Sequence, residues 1–179
     1  MKIIRFLTGD PNGPIDFHPD SALLLPGRPM FHPDFGDEWH VSVFLAVRIN
    51  RLGKSVGEKF APRYYDALSI GIRIEPESVS PADEGALSGM DCTITYGEWI
   101  KPEEFLANGS FEIAGLNVEQ PHTSDCVDRA VSALSRLTTI KMGDILLLPL
   151  GSPAIIMHPR SYITATTNTG NEILSVKVV

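Results

Sequence analysis

The sequence predicts a β-rich α+β domain whose mixed sheets curl toward a barrel, and three observations predict it. From Trp39 to Asn50 the chain alternates without a slip. Trp39, Val41, Val43, Leu45, Val47 and Ile49 fall on one side, and His40, Ser42, Phe44, Ala46, Arg48 and Asn50 on the other. A period of two over that length is a strand with one face in a core. Further short aliphatic runs recur along the chain, separated by turn residues that include 15 glycines and 14 prolines. Helical periodicity is confined to brief segments, so antiparallel or mixed sheet dominates.

Lys2 to Leu7 reads as a first strand, closed by a turn at Asp10-Pro-Asn-Gly13. The steps into Pro14, Pro19, Pro26, Pro29 and Pro33 push the preceding residues toward extended backbone, which predicts short strands and turns, not helix. The long strand ends at the basic turn Arg51-Leu-Gly-Lys54. Ser55 to Ala67 is expected as one short helix, disturbed in its first half by Pro62. Leu68 to Ile74 alternates again as a strand. Glu75 to Met90, rich in Ser, Pro, Gly and acids, reads as a loop. Strands follow over 91–96, 111–118, 144–150, 154–157, 162–167 and 172–179. A helix over 128–137 puts Val131, Leu134 and Leu137 on one face, with Thr123, Ser124 and Asp125 supplying capping oxygens.

The length of 179 residues fits a single domain over 1–179, and 43% hydrophobic with 21% charged content is ordinary for a soluble globular chain. A net charge of −7 argues against nucleic acid as a partner, which needs a basic patch. No apolar run of about 18 residues exists to span a membrane, and the N-terminus reads as a strand rather than a leader. Cys92 and Cys126 lack metal-type spacing and are expected as buried free thiols in a cytoplasmic protein.

Glu38 to Lys54, EWHVSVFLAVRINRLGK, resembles the metal-bearing strand and RxGK-like turn of the fumarylacetoacetate hydrolase family. Pro19-Asp-Ser-Ala-Leu23 is similar to the family's P-x-S-A-L segment and Arg63-Tyr-Tyr-Asp-Ala67 to its helix. His122-Thr-Ser-Asp125, the helix after it and Leu137 to Ile145 resemble its TSD segment, helix and L-x-x-GD-x-I strand. Leu150-Gly-Ser-Pro153 stands where the family has a TGTP-like turn. The resemblance spans nearly the full chain. It implies the family's C-terminal domain fold, a homodimer, and action on 2-oxo acids and acylpyruvates through bound magnesium or manganese.

At the site the resemblance fails residue by residue. It aligns the family's two metal-binding glutamates with Ser42 and Phe44, and its aspartate with Arg73. Hard divalent cations want several oxygen ligands, and an arginine repels them, so neither metal nor catalytic residues are expected there. Thr8 to Pro19 leaves no room for the family's lid helix, and the acidic loop 75–90 replaces its substrate segment.

The vestigial pocket is expected to comprise Ser42, Phe44, Arg73, His40, Gly151 and Ser152. Arg73 either grips a small carboxylate, bidentate, or fills the vacated space paired with an acid such as Glu75. Phe44 fills the cavity with apolar bulk, and Ser42 bonds a ligand or a neighbouring backbone group. Gly151-Ser152-Pro153 can offer backbone N–H groups to an anion. His40 lies on the same face, one step before Ser42. The implied function is a non-catalytic binding or assembly paralogue, acting as a homodimer or beside an active paralogue. Two alternatives stay open. One is a metal-dependent hydrolase, decarboxylase or isomerase of 2-oxo acids, holding Mg or Mn in a remade site that draws on Asp91, Glu75 or His40. The other is a small-anion sensor built on Arg73.

Overall fold

A computed structural model describes residues 1–36, 38–78, 83–151 and 155–179. In chain order its elements are β1 (Ile3–Phe6), β2 (Ile15–His18), β3 (Trp39–Ile49), β4 (Tyr65–Pro76), α1 (Glu84–Ser88), β5 (Ile94–Tyr96) and α2 (Pro102–Leu106). Then come β6 (Ser110–Ile113), β7 (Leu116–Glu119), α3 (Ser124–Leu137), β8 (Ile145–Pro149), β9 (Ile155–Ile156), β10 (Tyr162–Thr167) and β11 (Glu172–Lys177). A mixed sheet runs β2-β1-β8-β3-β4-β5, with β9 also on β3; only its β1–β8 pairing is parallel. An antiparallel sheet runs β11-β10-β6-β7. The mixed sheet curls into a half-barrel, as the alternating strands predict.

Strands β3 and β4 form the long ladder that positions everything else. Their register sets His40 opposite Glu75, Ser42 opposite Arg73, and Phe44 opposite Gly71. The row from Trp39 to Ile49 that was assigned to the core is buried there, with α3 contributing Val127, Val131 and Leu134. Burying each such side chain stabilises the fold by roughly 1.5–3 kcal/mol. The opposite face is apolar only at one end. Phe44 and Ala46 join Ile3, Ala22, Ile94, Ile145 and Leu147 in a second, smaller cluster. Glycine suits position 71 because a Cβ would sit 3.2 Å from Leu147 and 3.3 Å from Ala46.

Several expected elements are corrected. Ser55 to Ala67 is not one helix: a 3-10 segment covers Glu58–Arg63 and the chain is already in β4 at Tyr65. Pro62 withholds a donor from any longer helix, and Tyr65 and Ala67 are buried in the strand. The strand over 111–118 is a hairpin, turned at Ala114 and Gly115 with φ of 49° and 80°. The segment 75–90 opens as the end of β4 and contains α1, while 79–82 lie outside the described residues. Helix α2 was not foreseen; Pro102 opens it, followed by Glu103 and Glu104 in its first turn. A 3-10 turn over Asp20–Ala22 interrupts the proline-rich segment. Helix α3 starts at Ser124 with Thr123 as N-cap, but the Thr123 hydroxyl bonds Cys126 Sγ and not a backbone N–H. The cysteines are free, yet Cys92 is exposed and Cys126 half-buried, because both sit near turns or helix ends.

Candidate functional site

Arg73 projects from β4 onto the face it shares with Ser42, and its side chain is 5% exposed. Burial and the nearby Arg5 push its guanidinium pKa down, while Glu75 opposes that shift. The charge is answered locally. Arg73 Nη1 donates to Glu75 Oε2, and the Ser42 hydroxyl donates to Glu75 Oε1. Arg5 on β1 reaches the same carboxylate at 3.0 Å. Its guanidinium also grips Asp16 on β2, with Nη2 at 2.7 Å and Nε at 3.1 Å from both oxygens. His18, fully buried, sets Nε2 3.2 Å from Asp16 Oδ1 and Nδ1 2.8 Å from the Ser88 carbonyl. Burial alone would raise the Asp16 pKa. Hydrogen bonds from His18 and Arg5 outweigh it and hold the carboxyl far below the usual range.

Arg5, Asp16, Arg73 and Glu75 line a cleft of about 490 Å³, with Leu7, Ile15 and the α1 residues Gly85, Leu87 and Ser88 completing its wall. The segment expected to replace the substrate loop thus reaches this cleft through α1. A second cleft of about 450 Å³, between Tyr96 and β11, has only Arg28 and Glu98 as charged lining and no converging polar groups.

The positions that the resemblance aligns with the family's metal ligands carry an ion-pair network at Ser42 and Arg73 and apolar bulk at Phe44. A divalent cation does not fit there: Phe44 is buried among apolar side chains and Arg73 occupies the centre. Of the expected pocket residues, Ser42 and Arg73 come together through Glu75. Phe44 lies one step along the ladder in the apolar cluster, and His40 one step the other way. Gly151 is exposed, Ser152 lies outside the described residues, and Asp91 is an exposed turn residue. Arg73 pairs with Glu75 as one reading of the sequence expected, and the structure adds Arg5, Asp16 and His18, which were not among the expected pocket residues. Their signal was present: IDFH alternates, so Asp16 and His18 share a face, and Arg5 is flanked by two core residues. Two steps from Ser42, the ligand atoms of Glu38, His40 and Glu77 approach within 4.8 Å of one another.

A curled mixed sheet whose two longest strands face a cleft in this way defines the fumarylacetoacetate hydrolase-like fold. Among solved structures, 5-carboxymethyl-2-hydroxymuconate delta-isomerase from Mycobacterium smegmatis matches 99% of this chain and 78% of its own, at 20% identity and a TM-score of 0.80. Maleylpyruvate hydrolase from Sphingobium, solved with manganese and pyruvate, matches over 99% and 70%, at 18% identity and 0.80. A protein assigned to the fumarylacetoacetate hydrolase family from Yersinia pestis matches over 99% and 92%, at 19% identity and 0.78. No family model and no curated protein matches the sequence. At these identities the likeness establishes the fold.

Proposed function

We propose that the chain is a member of the fumarylacetoacetate hydrolase family that has lost metal-dependent catalysis and serves as a non-catalytic binding or assembly subunit. One observation carries this reading: Arg73, buried opposite Ser42 where the family's metal would lie, is neutralised by Glu75 within a network reaching Arg5 and Asp16. A small carboxylate is the ligand such a cleft would take, competing with Glu75 for the guanidinium groups. The Nε of Arg73, buried without a hydrogen-bond partner, is a donor such a ligand would use. Assembly as a homodimer, or with an active paralogue, belongs to the same reading.

The alternative is a divalent-metal-dependent hydrolase, decarboxylase or isomerase of small 2-oxo acids with a remade site, and the Glu38–His40–Glu77 group favours it. Two measurements separate them. Supplied with Mn²⁺ and an acylpyruvate, the protein is expected to release no pyruvate above background; metal-dependent release would overturn the reading. Oxalate is expected to raise the melting temperature equally with and without chelator, by mass action on the native state. A rise that appears only with Mn²⁺ would restore the enzyme.

A further inference from the structure

Outward from Ser42 and Arg73, the same face of the β3–β4 ladder carries Glu38, His40 and Glu77. Glu38 precedes β3 and Glu77 follows β4, so the two glutamates flank His40 from neighbouring chain segments. Alternation sets Glu38 and His40 on one face. The Glu77 N–H donates to the Glu38 carbonyl at 2.8 Å and pins the two segments together. One imidazole nitrogen and two carboxylate oxygens thereby lie within 4.8 Å of one another.

His40 carries a second, separate observation. Both of its ring nitrogens are buried and neither makes a hydrogen bond. Nε2 comes 3.2 Å from Glu38 Oε1 without forming a hydrogen bond to it. Buried polar atoms are normally bonded to protein, water or an ion. Among the described residues no other histidine is left so, and a carboxylate oxygen of each of Glu38 and Glu77 lies within 4.8 Å of one of its ring nitrogens.

We propose that Glu38, His40 and Glu77 bind one divalent transition-metal cation, Zn²⁺ by preference, through one imidazole nitrogen and two carboxylates. Three protein ligands leave a fourth position for water or an anionic ligand. The donor set selects the metal: imidazole with carboxylate suits zinc, whereas Mg²⁺ wants oxygen alone and keeps its waters. Mn²⁺ stands below Zn²⁺ in the general affinity order. Zinc bonds of about 2.0–2.2 Å require the ligand atoms to draw closer. The exposed, unbranched side chains of Glu38 and Glu77 have the freedom to do so. The site shares no residue with the Arg73–Glu75 network, so its failure would leave the proposed function standing, as would Zn²⁺ bound without metal-dependent release of pyruvate from an acylpyruvate.

Calorimetric titration of the full chain with ZnCl₂, MnCl₂ and MgCl₂ tests it. One Zn²⁺ per chain is expected, with Mn²⁺ on the order of tenfold weaker and no heat from Mg²⁺ beyond dilution. His40→Gln and the double variant Glu38→Gln/Glu77→Gln should each weaken Zn²⁺ binding by roughly tenfold or more, with circular dichroism confirming the fold. The double variant alters only exposed side chains, so it decides the matter if His40→Gln misfolds. Absence of Zn²⁺ binding, Mg²⁺ binding as tight as Zn²⁺, or undiminished affinity in either folded variant would overturn the site.

Discussion

One face of β3 presents Trp39, Val41, Val43, Leu45, Val47 and Ile49 to the main core, each buried and apolar. The other passes from Ala46 and Phe44, in the smaller apolar cluster, through Ser42 to the half-buried His40. The first row needs only apolar residues of suitable size, and its partners lie wherever the sheet curls. The second carries polar groups that need specific partners: Ser42 finds one in Glu75 on β4, which Arg5 on β1 binds in turn. A scaffold can therefore persist while the chemistry on it is exchanged, because the two requirements fall on opposite faces of one strand.

If that division holds, the largest loss of stability comes from the core row. Leu45→Ala is expected to cost about 3–4 kcal/mol, within the range for buried leucines, read as a lower urea midpoint with an unchanged m-value. A cost below about 1 kcal/mol would mean that the core face is not what specifies the sheet.

The same division explains what the sequence made legible. Alternation is a property of consecutive residues, so β3, β10 and β11 were readable within a residue or two. The hairpin at Ala114-Gly115 was not, because a single glycine after alanine is a weak turn signal and apolar residues alternate with polar ones on both sides of it. Pro62 correctly weakened the helix at 55–67, but Tyr65 and Ala67 already belonged to the strand's burial pattern. At the site, the pairing of Arg73 with Glu75 was legible because both residues lie on one strand face. The contribution of Arg5 and Asp16 was not, since it depends on β1 pairing with β2 and standing next to β8 in the sheet. Residues that act across distant strands leave only their alternation in the sequence.

The polar face should respond asymmetrically to substitution. Glu75→Gln leaves Arg73 buried without its anion and Arg5 with Asp16 alone. A loss of about 2–3 kcal/mol is expected, less than for a fully buried pair because Glu75 is 30% exposed. Arg73→Met removes the desolvated cation and leaves Glu75 bonded to Arg5 and Ser42. Its effect is expected within about 1 kcal/mol of neutral. Equal losses from both variants would show that Arg73 itself, and not the need to neutralise it, holds the cleft together.

The outer end of the network is tested through pH. The Asp16 carboxyl is held far below its usual range, so its stabilisation is present above the ordinary aspartate value of about 3.9 and drains away as pH falls toward the lower folded value. In that window the unfolded chain binds the proton first, and stability must rise with pH. Asp16→Asn keeps the shape and removes the charge. Near neutral pH its loss should be smaller than that of Glu75→Gln, because Arg5 keeps Glu75 and His18 keeps the Ser88 carbonyl. The two proteins' urea midpoints should then converge as pH falls below about 4. Curves that stay parallel into acid would show that Asp16 gains nothing from Arg5 and His18, and would confine the effective network to Arg73, Glu75 and Ser42.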